Sequence, residues 1–415
     1  MVVKVIFSAF LKLILILLKL YLQIIFIAHL ILIYLNKGVV MISLPKKDNN
    51  SLRFDFILFL SVIALSIFGI IVLSSATSNI PGGSRMLIIQ IISIVLGMGV
   101  CILISFFDYN LLKSLGGFFY LFGVLLLVLV LLIGQGGENW GSTRWLMIPV
   151  IGITFQPSEV AKIFFVILIS KHFERHSTEK NKSTIFKIAI ITMIPVLLIL
   201  RQPDGGTAAT FLFILFVIAF IHGLPYKYIF VSISSAIAAF PLIWMFVLKE
   251  YQKNRLRTFI NPELDPLNTG YQVLRAKMTV GSGQLWGQGL FNGTQSQSSQ
   301  GVPVRESDFI FTVIAEELGF IGSTILILLI MFILFRCIYI AWNSKDLYGS
   351  YLAAGLTAVL SFNFIQNIGM NIAILPITGV PLPFVSAGGS AMITYFIAIG
   401  IIMSVSMRRN KNMFA

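Results

Sequence analysis

Long apolar runs recur along nearly the whole chain and are separated by polar segments. A helix needs about 20 predominantly apolar residues to cross a bilayer, and the alternating pattern of a membrane β-barrel is absent. The pattern therefore predicts an all-α, polytopic membrane protein with a ten-span core. The predicted spans are 54–75, 86–107, 111–133, 157–171, 185–200, 206–222, 226–248, 309–341, 349–375 and 385–407.

Composition supports the membrane class. The 415 residues are 57% hydrophobic and 11% charged, whereas about 25% of the residues in a soluble domain are charged. So much apolar surface does not fit inside a water-soluble core. Both cysteines lie in apolar runs, and the four histidines show no metal-site spacing, so neither a disulfide framework nor a metal centre is predicted.

Charge at the ends of the spans predicts orientation. The segment "KHFERHSTEKNKSTIFK" at 171–187 and the tail "RRNK" are basic, and basic loops stay on the cytoplasmic side. Both ends of the ten-span core are then cytoplasmic, and the loops 76–85, 134–156 and 249–308 face outward. The net charge of +14 indicates either basic helix ends or contact with anionic membrane lipids.

The first 45 residues form a separate apolar extension ahead of the membrane domain at 46–415. Lysines interrupt the extension, and Met41 resembles an ordinary cytoplasmic start. The extension is compatible with an eleventh span, an interfacial helix, a leader or a mis-assigned start codon.

The predicted outer loop at 249–308 is too long to be only a connector. It is rich in basic residues, which predicts a phosphate-bearing partner at headgroup level; a solvated helix with incidental charge is the alternative. The basic residues of this loop are Lys249, Lys253, Arg255, Arg257, Arg275, Lys277 and Arg305.

Four acids lie at the entrance to the eighth predicted span. Asp308 is at its mouth, and Glu316 and Glu317 follow about 12–13 Å deeper along a helix, too far for a working carboxylate couple with Asp308. Asp308 is either a helix-end acid next to a capping Ser307 or a functional group. Buried membrane acids such as Glu316 are usually paired or functional.

Five separated stretches resemble the signature of the SEDS glycosyltransferases, the shape, elongation, division and sporulation proteins. The resemblance covers nearly all of 52–409. In chain order the stretches are "TRWLMIPVIGITFQPSEVAK" at 143–162, "RQPDGGTA" at 201–208, "NPELDPLNTGYQ" at 261–272, "DFIFTVIAEELGFIG" at 308–322 and "GVPLPFVSAGGS" at 379–390.

The resemblance implies a ten-span bundle with a large outer loop before span eight, in the bacterial plasma membrane. The family polymerises lipid II into peptidoglycan strands beside a class B penicillin-binding protein, a transpeptidase; we expect lipid partners and no nucleic acid. "NGTQSQ" at 292–297 and "AEELG" at 315–319 are most similar to the elongation branch. Division and sporulation branches are the near alternatives. A flippase for the lipid-linked precursor and an inactive scaffold are the rival functions.

Site residues follow from the resemblance. Asp308 is expected to be the base for the acceptor hydroxyl, and the cavity is expected to hold Glu159, Lys162 and Asp204. From the residues themselves, Glu159 and Lys162 fit a local ion pair and Asp204 fits a turn acid near Arg201. No cofactor is certain, and a divalent cation remains an open alternative.

The outer loops supply the remaining candidates. Trp140, Arg144 and Trp145 predict either an interfacial aromatic belt or a contact with substrate. The cations expected to hold the diphosphate are Arg255, Arg257, Arg275 and Lys277, and Arg144 and Glu316 are expected in the substrate-binding site or cavity.

Two positions depart from the family pattern. The family commonly has His-Thr before the catalytic aspartate, where this chain has Glu306-Ser307, and a tyrosine where this chain has Ala387. Glu306 is expected to raise the pKa of Asp308 if the two carboxylates are close.

Overall fold

The computed structural model describes residues 54–135, 144–148, 153–176, 182–223, 250–265, 269–298 and 301–409, with the isolated positions 227, 234, 238, 241, 244 and 245. The predicted extension 1–45, Trp140 and most of the seventh predicted span lie outside these residues.

Twelve α-helices form within the described residues, together with one short hairpin. The helices are α1 (Phe56–Ala76), α2 (Gly83–Phe106), α3 (Tyr109–Ile133), α4 (Pro157–Arg175), α5 (Lys182–Arg201), α6 (Gly205–Ile221), α7 (Glu250–Ile260), α8 (Thr269–Ser282), α9 (Ile310–Glu317), α10 (Gly319–Trp342), α11 (Leu347–Asn371) and α12 (Gly389–Met407). A 3₁₀ turn at Pro262–Leu264 joins α7 to α8. The antiparallel hairpin pairs β1 (Leu146–Ile148) with β2 (Ile153–Phe155).

The all-α membrane architecture is confirmed. Helices occupy nine of the ten predicted spans within the described residues. Six helices, α1, α2, α3, α10, α11 and α12, are long and apolar enough to cross a membrane. The chain is therefore a multi-pass membrane protein, and the count of ten spans stays a prediction.

The eighth predicted span is two helices rather than one. Helix α9 ends at Glu317, and α10 begins at Gly319, whose φ is +67°. A Cβ at this position would collide with the backbone nitrogen of Gly287, and the Phe320 amide donates to the Gln284 carbonyl at 2.9 Å. The break exists because the backbone of the 284–287 segment packs against it.

Helices α11 and α12 form the buried centre of the bundle. Helix α12 packs along α2, where Gly97 faces the ring of Phe396 and Gly400 faces Cys101. Lipid tails are as apolar as leucine, so close approach at small residues, rather than hydrophobic burial, drives such pairings in a membrane.

Ion pairs join the helices at one end of the bundle. Asp55, ahead of α1, pairs with Arg336 near the end of α10 at 3.0 Å. Lys113 of α3 pairs with Glu174 near the end of α4 at 2.6 Å. We call this the basic end, since it also carries the cationic segment at 171–187. Helices α4, α6 and α9 begin at the opposite end, where the candidate site lies.

Candidate functional site

Asp308 lies in the turn ahead of α9, and two asparagines of α11 hold its backbone. The side-chain amides of Asn367 and Asn371 donate to the Asp308 carbonyl at 2.9 and 3.0 Å. Phe309 is the N-cap of α9, and the Thr312 amide in the first turn donates to the Asn371 side chain at 3.2 Å. Ser307 is therefore not the N-cap of α9 as expected, and Asp308 lies one residue ahead of that cap rather than in the first turn. The Asp308 carboxylate accepts a hydrogen bond from the Ser307 hydroxyl at 3.1 Å.

The loop at 379–390 supports the residues around Asp308. The Ser386 hydroxyl donates to the Ser307 carbonyl at 2.6 Å, and the Ala387 amide donates to the Glu306 carbonyl at 2.9 Å. The contact at Ala387 is made by the backbone, so the alanine makes it as well as the tyrosine common in the family. Two of the recognised motifs thus meet in space.

Arg144, which lies just before β1, also places its side chain near Asp308. Its neighbour Trp145 pairs with Gln135 just after α3, with backbone hydrogen bonds of 2.8 and 3.4 Å. The Arg144 guanidinium pairs with the Asp204 carboxylate at 3.3 Å and donates to the Gly379 carbonyl at 3.5 Å. Only 13% of the Arg144 side chain is exposed, so this is an interior cation rather than a member of a surface belt.

Gly379 brings Arg144 and Asp308 together. A Cβ built at Gly379 would lie 3.0 Å from Nη2 of Arg144 and 3.1 Å from Oδ2 of Asp308. The guanidinium and the carboxylate therefore border the same α-carbon. The φ of Gly379 is +66°, a left-handed conformation that glycine adopts at little cost.

Asp204 is the N-cap of α6. Its carboxylate accepts from the Thr207 amide at 3.0 Å and from the Thr207 hydroxyl at 2.8 Å, in addition to pairing with Arg144. Arg201, the partner expected from the sequence, is exposed. Asp204 therefore does more than close a turn: it holds the guanidinium that borders Asp308.

Burial and the surrounding charges act on Asp308 in opposite directions. Burial raises the pKa of Asp308 above its usual range, while Arg144, the Ser307 hydroxyl and Arg255 lower it and Asp204 raises it further. Among the acids, Asp204 is the one that raises the pKa of Asp308, and the expected effect of Glu306 is not among the principal influences on this pKa.

Glu159 and Lys162 form the predicted ion pair on α4, at 2.8 Å with both side chains buried. Glu159 also acts electrostatically on Arg144, and its Oε2 has no hydrogen-bond partner among the described residues. The pair therefore lies within electrostatic range of the Asp308 site. Its role in tuning that site stays a prediction.

The four basic residues predicted to bind diphosphate occupy different environments. Arg255 is the one whose charge reaches Asp308. Arg257 pairs with Glu250 at 3.5 Å, Arg275 donates to the Gln295 side chain at 2.9 Å, and Lys277 is exposed. The structure thus brings Arg255 towards the site and gives two of the others partners of their own.

Glu316 holds a loop instead of meeting Asp308. Its carboxylate accepts from the amides of Gln295 and Ser296 at 2.8 and 2.7 Å. Glu317 also accepts a hydrogen bond from the Gln297 side chain of the same loop, at 3.1 Å. These contacts favour a structural role for both glutamates, and a cavity role for Glu316 remains untested.

The sequence analysis missed Asn367, Asn371 and Gly379 as site residues. The two asparagines are four residues apart in an otherwise apolar helix, so they share one face. Polar groups on a membrane helix usually find partners inside the bundle, so the sequence already indicated that these two asparagines have partners there. Among the described residues, no group of three or more His, Cys, Asp or Glu side chains is arranged to hold a metal ion.

The site combines a base with an anion-binding cation. A half-buried carboxylate, Asp308, stands beside a guanidinium that a second carboxylate, Asp204, orients. The Nε of Arg144 is buried without a hydrogen-bond partner among the described residues. A buried donor of this kind calls for an explanation, and a substrate oxygen is one. The arrangement suits removal of a proton next to stabilisation of a departing anion.

Known proteins share this sequence and architecture. A peptidoglycan glycosyltransferase named MrdB from Escherichia coli K12 is 33% identical, covering 87% of this chain and 95% of its own length. A probable peptidoglycan glycosyltransferase named FtsW from Trichlorobacter lovleyi is 31% identical, covering 88% and 96%.

Solved structures of related proteins share the fold of this chain. A chain from a peptidoglycan synthase complex that coordinates polymerization and crosslinking superposes with a TM-score of 0.76 and 28% identity, covering 87% of this chain and 100% of that one. The Rod shape determining protein RodA of Thermus thermophilus superposes with a TM-score of 0.65 and 27% identity, covering 88% and 100%. The family model for FtsW, RodA and SpoVE, described as a cell cycle protein, matches residues 52–411. The chain belongs to the FtsW/RodA/SpoVE family.

Proposed function

We propose that this chain is a peptidoglycan glycosyltransferase of the elongation type, which polymerises lipid II into glycan strands. The observation that carries the proposal is the meeting of Asp308 with the Arg144 guanidinium at Gly379. Relatives that share about a third of the sequence are named peptidoglycan glycosyltransferases. The geometry supports a direct displacement at the sugar rather than passage of a lipid through the bundle.

In this reaction Asp308 acts as the general base. Its carboxylate accepts the proton of the acceptor sugar hydroxyl while that oxygen attacks the anomeric carbon of the donor. The bond from the anomeric carbon to the diphosphate oxygen breaks, and the configuration at this carbon inverts. Burial makes the Asp308 carboxylate more basic by raising its pKa, which favours transfer of the proton once the group is ionised.

Arg144 is assigned to the leaving group, undecaprenyl diphosphate. The diphosphate departs with the electron pair of the broken bond, so stabilisation of its charge replaces the need for a second carboxylic acid. Guanidinium groups match phosphate oxygens well. Asp204 keeps the Arg144 side chain in place through its 3.3 Å contact, and Arg255 adds a second cation within range of Asp308.

The proposal also includes the side of the membrane on which the site lies and the protein partner. The active site would face the outside of the plasma membrane, where lipid II is polymerised, and a class B penicillin-binding protein would be the partner. Support comes from the structural neighbour found in a synthase complex that coordinates polymerization and crosslinking. A division- or sporulation-type polymerase is the near alternative, because relatives named FtsW are about as similar.

The test compares Asp308→Asn with wild type, both reconstituted with and without a class B penicillin-binding protein. Loss of the base predicts that polymer formation from purified lipid II falls by about 10²-fold or more, while lipid II binding persists. Glu306→Gln is the matched control: it removes a carboxylate two residues away whose charge acts on Arg305, and polymerisation should continue near the wild-type rate.

The outcomes separate the rivals. Normal polymerisation by Asp308→Asn would show that Asp308 is not the base. A wild-type protein that moves labelled lipid II across vesicles without forming polymer would favour the flippase. Absence of both activities in the complex would favour the scaffold.

A further inference from the structure

A cationic cavity lies at the basic end of the bundle, away from the candidate active site. Its volume is about 220 Å³, and its lining residues are Lys171, His172, Arg175, His176 and Lys187. The cavity lies between the last turns of α4 and the first turns of α5. Lys171 is twelve residues after Glu159 on α4, so roughly 18 Å of helix separates the two sites.

Acidic partners do not neutralise this cavity within the described residues. Glu174, the nearby acid of α4, is taken by Lys113 at 2.6 Å. Lys171, Arg175 and Lys187 form no ion pair with any described side chain. Three cations facing one cavity repel one another, and an anion bound between them relieves that repulsion.

A second cavity continues the first. It has a volume of about 480 Å³ and shares Lys171 and Arg175 with the first cavity, and its other lining residues are Leu347 and the ion pair of Lys113 with Glu174. Two of the cations therefore face both cavities. The combined space is larger than a single small anion needs, which favours a ligand with a sizeable polar headgroup.

An exposed apolar stripe begins beside the cavity on α5. Phe186 adjoins Lys187 and is 66% exposed, and Ile190, Ile194 and Leu197 continue the stripe at helical spacing, each at least 39% exposed. Residues three and four apart share a helix face. The stripe runs from the basic end towards the middle of the bundle, as an acyl chain runs from its headgroup into the bilayer.

We propose that this cavity binds the phosphate of an anionic membrane phospholipid, whose acyl chains lie along the α5 stripe. A phosphate oxygen would meet Lys171, Arg175 and Lys187 together, and the ligand would join α4 to α5 at the basic end. Basic pockets between membrane helices are known sites for anionic headgroups. Free phosphate has the same headgroup chemistry, but it has no apolar part to match the stripe.

The experiment measures lipid retained by the purified full-length protein in detergent, by native mass spectrometry, with melting temperature as a second readout. The probes are phosphatidylglycerol, phosphatidylcholine and inorganic phosphate. We expect retention of phosphatidylglycerol over phosphatidylcholine and a rise in melting temperature with the former. Inorganic phosphate at the same concentration should neither raise the melting temperature nor displace the lipid.

Lys187→Gln and Lys345→Gln provide a matched pair. Both lysines are exposed, both changes remove one charge, and Lys345 lies at the same end of the bundle between α10 and α11. Lys187→Gln should weaken phosphatidylglycerol binding about five-fold, the equivalent of about 1 kcal/mol per cation near an anionic lipid surface. Lys345→Gln should leave binding unchanged, and Lys187→Arg should retain it.

Three results would overturn the proposal. Equal weakening by Lys187→Gln and Lys345→Gln would show a diffuse surface-charge effect without a site. Equal retention of the two lipids would show that the net negative charge of the phosphatidylglycerol headgroup is not recognised. Displacement of phosphatidylglycerol by inorganic phosphate would assign the cavity to a free anion.

Discussion

Replacing Gly379 by alanine tests whether the placement of Arg144 and Asp308 beside Gly379 matters for the reaction. The added Cβ would lie 3.0 Å from the Arg144 guanidinium and 3.1 Å from the Asp308 carboxylate, whereas ordinary van der Waals contact starts at 3.4 Å. Each of the two groups must therefore move away from the added Cβ by about 0.3–0.4 Å to reach ordinary contact. Neither group is the loose end of an exposed side chain, since Arg144 is held by Asp204.

The expected loss of activity follows from this displacement. A misplacement of 1 Å at a reacting group costs about 10²-fold in rate. If the logarithm of the rate scales with displacement, a shift of about 0.35 Å costs about five-fold. The left-handed φ of +66° adds a stability cost of about 1–2 kcal/mol, because alanine carries a Cβ where glycine does not.

Gly82→Ala is a control that adds backbone strain without displacing a neighbouring group. Gly82 has a φ of +79°, and a Cβ there would have no atom within 4 Å. Both alanine variants should therefore lose about the same stability, yet only Gly379→Ala should lose polymerisation.

The assay is polymer formation from purified lipid II at a temperature well below either melting transition, with melting temperature measured on the same samples. Equal polymerisation rates for Gly379→Ala and Gly82→Ala, at equal stability, would refute the reasoning. The placement of Arg144 and Asp308 beside Gly379 would then be incidental to the chemistry.

Three further substitutions probe the charges and supports of the site. Arg144→Gln removes the largest influence that lowers the pKa of Asp308, so the acidic limb of the pH–rate profile should move to higher pH; an unmoved limb would contradict the assignment. Asn371→Ala removes one of the two side-chain donors to the Asp308 carbonyl, so kcat should fall several-fold with KM nearly unchanged, and a change in KM alone would count against a positioning role. Arg255→Gln should reduce polymerisation more than Lys277→Gln in low salt, with a smaller difference in high salt because exposed charges are screened; the reverse order would show that Lys277 is the important cation.

Apolar patterning was sufficient for the fold class because a membrane helix satisfies its own backbone hydrogen bonds and needs only a long apolar run. Helices α1, α2, α3, α11 and α12 accordingly lie where the hydropathy pattern predicts them. The break between α9 and α10 was not predictable in this way. It depends on the 284–287 segment, which contacts Gly319 from a distant part of the chain.

The motifs also determined which residues to examine. Arg144 and Glu159 came from one of the stretches that resemble the family, and Asp204 and Asp308 came from two others. The ion pair of Glu159 with Lys162 follows from helical spacing within one stretch. Interactions between near neighbours in sequence are encoded locally, so they can be predicted before the chain is folded.

Only the tertiary structure decided which groups meet. It selected Arg144 over the nearer Arg201 as the partner of Asp204, and Asp204 over the nearer Glu306 as the acid that raises the pKa of Asp308. It also assigned Asn367 and Asn371 to the Asp308 carbonyl. These contacts join helices, a hairpin and a loop that are far apart in sequence. Electrostatic interaction depends on distance in space and on burial, and neither quantity exists until the helices have packed.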